Sequence, residues 1–180
     1  MRIAKTGSKG IRKLTYSAFF TALALVLPFL TGQIPEIGSM LCPMHIPVLL
    51  CGFVCGWPWA LAVGFVSPLL RSAVFGMPPL PAAIAMAFEM AVYGAVSGAL
   101  HCVLPKKKWS IYVSLLCAMI LGRLAWGGVQ MVICGLQHTE FTSAAFLAGA
   151  VTGSIPGIVV QIVLIPLIVM ALERTQIRNK

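Results

Sequence analysis

The chain has 180 residues, 59% of them hydrophobic and only 9% charged, with thirteen Lys or Arg against four Asp or Glu. Soluble domains carry about 25% charged residues, so these few charges could not coat a water-soluble globule, and a mean hydropathy of +0.97 agrees. Composition therefore points to an all-α integral membrane protein. Six helical spans of ~20 residues would leave no loop long enough to fold separately, so a single membrane domain over 1–180 is expected.

In chain order, a basic segment with Arg2, Lys5, Lys9, Arg12 and Lys13 precedes the first apolar run. That run has no small-x-small cleavage site behind it and is expected to stay as a span. The predicted spans cover about 14–30, 46–56, 59–75, 82–104, 109–135 and 144–172. A turn-rich loop from Thr31 to Gly38 leads into Cys42-Pro43-Met44-His45, and Trp57-Pro58 breaks the second span from the third. Three prolines stiffen the loop Gly76–Pro81, because each fixes φ and removes a donor. Gly153 to Gly157, with Pro156 between them, interrupt the last span. The second span, about eleven residues long, falls short of the ~17 needed to cross a bilayer. A tilted, re-entrant or protein-covered helix would accommodate it.

Six crossings put both termini and the Lys106–Lys108 loop on one side, which then holds eleven of the thirteen basic residues. The opposite loops carry Glu36, His45, His138 and Glu140, and no Lys or Arg. By the positive-inside rule the basic side is cytoplasmic, so the expected architecture is a six-transmembrane-helix bundle with cytoplasmic N- and C-termini. In a soluble chain a net charge of +9 would point to nucleic acid; here it records topology, with attraction to anionic lipid as a side effect.

The two remaining cations, Arg71 and Arg123, lie inside spans, as does Glu89. An ionised group at mid-membrane costs roughly 2.5–3.5 kcal/mol on insertion scales, so each should face protein or a cavity. Internal ion pairs that fix packing are one reading; a polar pocket for a hydrophilic ligand is the other. At 1.5 Å per residue, Arg71, Glu89 and Arg123 lie about 6, 10 and 18 Å below the outer ends of their spans, so a shared pocket would open outward. Arg123, Trp126 and Gln130 share one helical face, and so do Met86, Glu89 and Tyr93. Ser154 and Gln161 could add polar groups from the last span. His45 could bond a ligand or cap its helix, and the loops Gln33–Glu36 and Gly76–Pro81 are either lids or plain connectors.

Six cysteines, Cys42, Cys51, Cys55, Cys102, Cys117 and Cys134, mostly sit in or beside apolar runs, where Cys serves as a small packing residue. A bridge between Cys42 and Cys134 is a minor alternative, and no metal-ligand spacing is present. No cofactor is implied. No phosphate-binding G-x-x-x-x-G-K-[ST] occurs either, so uphill movement would draw on a partner subunit or an ion gradient. In the first span Ala18 and Ala22 form a small-xxx-small face that lets another helix come close.

Together these features resemble the substrate-binding S components of energy-coupling factor (ECF) transporters. The resemblance covers nearly the whole chain: the basic N-terminus, Ala18-xxx-Ala22, six spans and the outer loop through Pro43 to Pro47. It includes the turn Leu50-Cys51-Gly52-Phe53-Val54-Cys55-Gly56-Trp57-Pro58, and Phe88-Glu89 through Tyr93, Gly94 and Gly98. The short second span departs from the family pattern. The resemblance implies capture of a vitamin or related micronutrient from outside by a non-enzymatic subunit of the bacterial cell membrane. It also implies partnership with a membrane coupling subunit, met through Ala18 and Ala22, and with two cytoplasmic ATPases. Family ligand contacts come mostly from the first outer loop and spans four to six, which supports Glu89, Arg123, Trp126 and Gln130 over Arg71. With two cations at one pocket, a ligand bearing a carboxylate or phosphate is expected, pantothenate ahead of riboflavin or a queuosine precursor. The competing reading is a stand-alone secondary transporter, proton-coupled through Glu89. An intramembrane enzyme is disfavoured, because neither a carboxylate pair nor a His-x-x-x-His-type ligand set is present.

Overall fold

A computed structural model describes residues 3–31, 42–105, 107–137 and 155–178. Helix α1 runs Ile3–Val26 and tightens into a 3₁₀ turn over Leu27–Thr31; α2 is His45–Cys55, α3 Trp57–Phe75, α4 Leu80–Val103, α5 Lys108–Leu136 and α6 Ile155–Arg178. Five stretches are long and apolar enough to cross a bilayer: Gly10–Phe29, Trp57–Phe75, Leu80–Val103, Lys108–Leu136 and Ile155–Leu172. The chain is thus a multi-pass helical membrane protein. The second to fifth predicted segments match α2 to α5 to within two residues at each end, whereas α1 begins eleven residues before its predicted start. Helix α6 is described from Ile155, and residues 144–154, Ser154 among them, lie outside the described residues. So do the segment Gln33–Glu36, His138 and Glu140.

Local chemistry sets the breaks. Helix α2 stops at Gly56, whose φ of +92° suits only a residue without a side chain, and whose N–H donates to the Gly52 carbonyl at 3.2 Å. Pro58 then occupies the first turn of α3, where its missing N–H costs nothing. Gly76, at φ +70°, closes α3 in a left-handed cap on the Ser72 carbonyl. Helix α4 ends at Val103, just before Pro105.

Eleven residues give α2 a length of about 16 Å, roughly half the ~30 Å hydrocarbon thickness. Its environment resolves the shortfall. Helices α1, α3, α4 and α6 pack around α2, and Val48, Leu49 and Cys51 are fully buried. Protein, not lipid, surrounds it, so a short apolar helix leaves no backbone groups facing hydrocarbon. Outward faces are apolar as a bilayer demands: Leu116, Ile120, Leu124 and Met131 on α5 are all exposed.

Helix α4 is the spine, with 56% of its membrane-length stretch buried against 17% for α1. It approaches α2 and α3 to backbone contact. Gly64 of α3 faces the Met90 carbonyl, Gly94 faces the Ala60 carbonyl, and Gly98 lies against the start of α3 at Trp57. A Cβ added at Gly94 would stand 2.5 Å from the Ala60 oxygen. Without a hydrophobic drive between helices in lipid, this close packing of small residues supplies the attraction.

Gly94→Leu or Gly64→Val should therefore destabilise the bundle by about 2 kcal/mol or more, since neither backbone can yield. Gly128 and Gly135 have open space around them, so Ala there should leave stability unchanged or slightly raised. Thermal unfolding in detergent distinguishes the two pairs.

Candidate functional site

The polar groups of three helices converge at the first turn of α2 and the middle of α4 and α5. Glu89 is 2% exposed, and Arg123 Nη1 stands 3.1 Å from its Oε1. His45, the first residue of α2, is equally buried, and its Nε2 lies 3.5 Å from the same Glu89 oxygen. The His45 ring meets the Tyr93 ring edge-on, with centroids 5.1 Å apart. Tyr93 lies one turn beyond Glu89, and its ring rests against α5 at Gly122, where any side chain would overlap it. Beside it, Arg123 Nη2 reaches Cys42 Sγ at 3.9 Å. One carboxylate thus sits between a guanidinium and an imidazole, floored by an aromatic ring.

Hydrogen bonding within the cluster is incomplete. Both His45 nitrogens, Glu89 Oε1 and Arg123 Nε are buried and make no aligned hydrogen bond among the described residues. The His45–Glu89 and Arg123–Glu89 contacts are close enough for electrostatic attraction but are not aligned as hydrogen bonds. Gln161 of α6 is also buried, and no contact joins it to this cluster among the described residues. Buried polar atoms are nearly always hydrogen-bonded, so several orphans in one cluster, counted among the described residues, mark it as a place with hydrogen-bonding capacity to spare. His45 does not cap α2: its N-cap is Met44, and no side chain bonds the helix end. The imidazole points inward instead.

The other predicted residues divide. Trp126 and Gln130 follow Arg123 along the same half-buried face of α5, and Gln130 Nε2 contacts Cys134 Sγ at 3.8 Å. Arg71 is elsewhere. It is buried, but Nη1 donates to the Leu25 carbonyl at the end of α1 at 2.8 Å, and its guanidinium lies over the Phe29 and Phe75 rings. The expectation of two cations around one pocket is therefore corrected, because Arg71 is engaged at the α1–α3 junction. Cys42 and Cys134 do not pair; both are reduced, and each lies against a different polar side chain. Cys51 and Cys55 are packed in the core. Ala18 and Ala22 stand on the exposed face of α1, opposite the buried Ser17, Phe20 and Ala24.

Two participants escape a reading by residue type. Cys42 looks like one thiol among six, yet it precedes His45 by one turn, and the His45 N–H donates to its carbonyl at 3.1 Å. That three-residue spacing before a histidine was the available signal. Gly122 carries no chemistry, and only its neighbour across the helix interface explains it.

Comparison with curated proteins and with solved structures returned no match. A family model described as the substrate-specific component of ECF transporters matches residues 12–170. With nearly its whole length so matched, and with its membrane-length apolar helices, the chain belongs to the family of ECF transporter substrate-specific components.

Proposed function

We propose that this substrate-binding subunit captures a small micronutrient at the cluster of Glu89, Arg123, His45 and Tyr93, with Trp126 and Gln130 extending the surface along α5. The observation that carries the reading is the set of buried polar atoms there without hydrogen-bond partners. A ligand bearing a carboxylate and neighbouring hydroxyl or amide groups could satisfy them. Arg123 keeps donors uncommitted to Glu89, and a guanidinium grips a carboxylate in two-point fashion. Pantothenate has this chemistry and is the preferred substrate; riboflavin and a queuosine precursor are the alternatives to test. With Arg71 engaged elsewhere, recognition of an anion rests on Arg123, and the buried ring nitrogens of His45 add hydrogen-bonding groups beside it.

The proposed topology has six crossings, cytoplasmic termini and an outward-opening site in a bacterial plasma membrane, arranged as one domain. Energy comes from two cytoplasmic ATPases acting through a membrane coupling subunit. The exposed Ala18–Ala22 face of α1 is the proposed contact with that subunit, because small side chains let a partner helix approach closely. A stand-alone proton-coupled carrier using Glu89 is the second reading. It is disfavoured because Glu89 already neutralises Arg123.

Native mass spectrometry of the purified protein should find a co-purified small molecule, and its mass decides among the candidate substrates. Arg123→Ala leaves Glu89 buried and unpaired, at a cost of ~3–5 kcal/mol. It also removes the two-point grip on a ligand carboxylate, worth about 3 kcal/mol or more, so at ~1.4 kcal/mol per tenfold binding of that molecule should weaken by about a hundredfold or more. Glu89→Gln with Arg123→Met removes both charges and should restore much of the lost stability without restoring binding. Binding at wild-type affinity by this double variant would make the ion pair structural and place the site elsewhere.

Ala18→Trp and Ala22→Trp should abolish vesicle uptake while ligand binding by the isolated chain persists, since the ring obstructs docking far from the cluster. Uptake by the wild-type chain in vesicles without ATPases would instead favour the secondary transporter. Reporter fusions at Lys107 and Lys180 should both read cytoplasmic, and an outside signal at either would end the six-span topology.

A further inference from the structure

Helix α1 is the least embedded of the five membrane-length helices, with 17% of that stretch buried. Ser17, Phe20 and Ala24 hold it along its length, and its outer end depends on a different device. Past Val26 the chain tightens into a 3₁₀ turn, Leu27–Thr31. The last carbonyls of an α-helix, that of residue 25 among them, lack intrahelical donors, and Pro28 brings no N–H to them. Arg71 of α3 supplies the donor instead, its Nη1 standing 2.8 Å from Leu25 O across forty-six residues of sequence. The guanidinium is 5.3 Å from the Phe29 ring centroid and 5.6 Å from that of Phe75, and the two rings meet edge-on at 5.0 Å.

Each contact suits a cation removed from water. The carbonyls at a helix C-terminus carry partial negative charge, and ring faces attract a guanidinium. The arrangement engages the Arg71 guanidinium through Nη1 and two ring contacts at the α1–α3 junction.

We propose that Arg71 is a positioning residue. It fastens the outer end of α1 to α3 and so sets the direction in which the Ala18–Ala22 face, about 10 Å further along the same helix, is presented. Helix α3 is in turn fixed to α4 by the glycine contacts, so α1 is oriented relative to the helix that carries Glu89. The fastening stands on the geometry alone; its consequence for coupling rests on the docking role proposed above.

Hydrogen–deuterium exchange on the purified full chain tests the fastening. In Arg71→Leu the amides of 25–31 should exchange about tenfold faster while those of α4 do not change. Arg71→Lys should fall between that variant and wild type, because an ammonium can reach a carbonyl but cannot lie flat against two rings. Phe29 is 40% exposed, so Phe29→Leu spares the core and should give about threefold faster exchange at the same amides even if Arg71→Leu fails to fold. Wild-type protection in both Arg71→Lys and Phe29→Leu would overturn the fastening. Recovery of the coupling subunit and ATPases with each folded chain should drop several-fold in Arg71→Lys. Undiminished recovery alongside fast exchange would overturn its consequence for coupling. Ala18→Trp separates the two ideas: it should lose the partners with exchange at 25–31 unaltered, and retention of the partners would sink the docking role without touching the fastening.

Discussion

Backbone contact between α4 and its two neighbours α2 and α3 sets the position of everything else in the bundle. In lipid there is no hydrophobic effect to draw helices together, so attraction must come from close packing. Gly64, Gly94 and Gly98 bring the backbones together where any side chain would hold them apart. Fixed in this way, α4 presents Glu89 and Tyr93 to the first turn of α2 and to α5, and the site inherits the precision of the glycine contacts. Gly122 repeats the device on a smaller scale, letting the Tyr93 ring lie against α5.

Two arginines within the membrane are handled in different ways. Arg123 is balanced by a carboxylate, yet keeps donors that nothing in the cluster satisfies. Arg71 is balanced by a carbonyl and two ring faces, none of which bears a formal charge. The first arrangement leaves capacity for a ligand; the second uses the charge to join two helices. Both answer the same cost, that of removing a cation from water.

The short helix α2 ties these parts together. Its first residue, His45, contributes to the polar cluster, while Val48, Leu49, Leu50, Cys51 and Cys55 fill the core below. A helix long enough to span the bilayer would not be needed here, because four other helices shield this one. Its polar end can therefore be buried among protein groups, and its length is free to suit the site.

Much of this was legible in the residues themselves. Apolar runs bounded by glycine, proline and charge located α2 to α5 to within two residues at each end, because helix-compatible apolar length and chain-breaking residues are local properties. Glu89, His45, Tyr93 and Arg123 could be singled out because charge and polarity inside apolar runs are conspicuous in any order of packing. Which of them meet was not legible. Arg71 and Arg123 look alike in sequence, and only the packing of α3 against α1 gave Arg71 a carbonyl and two rings while α4 against α5 gave Arg123 a carboxylate. The choice depended on contacts between residues far apart in the chain, on helix rotation and on the missing N–H of Pro28. Composition and periodicity determined that these charges must be sheltered; the tertiary structure decided by what, because shelter is a matter of distances between helices.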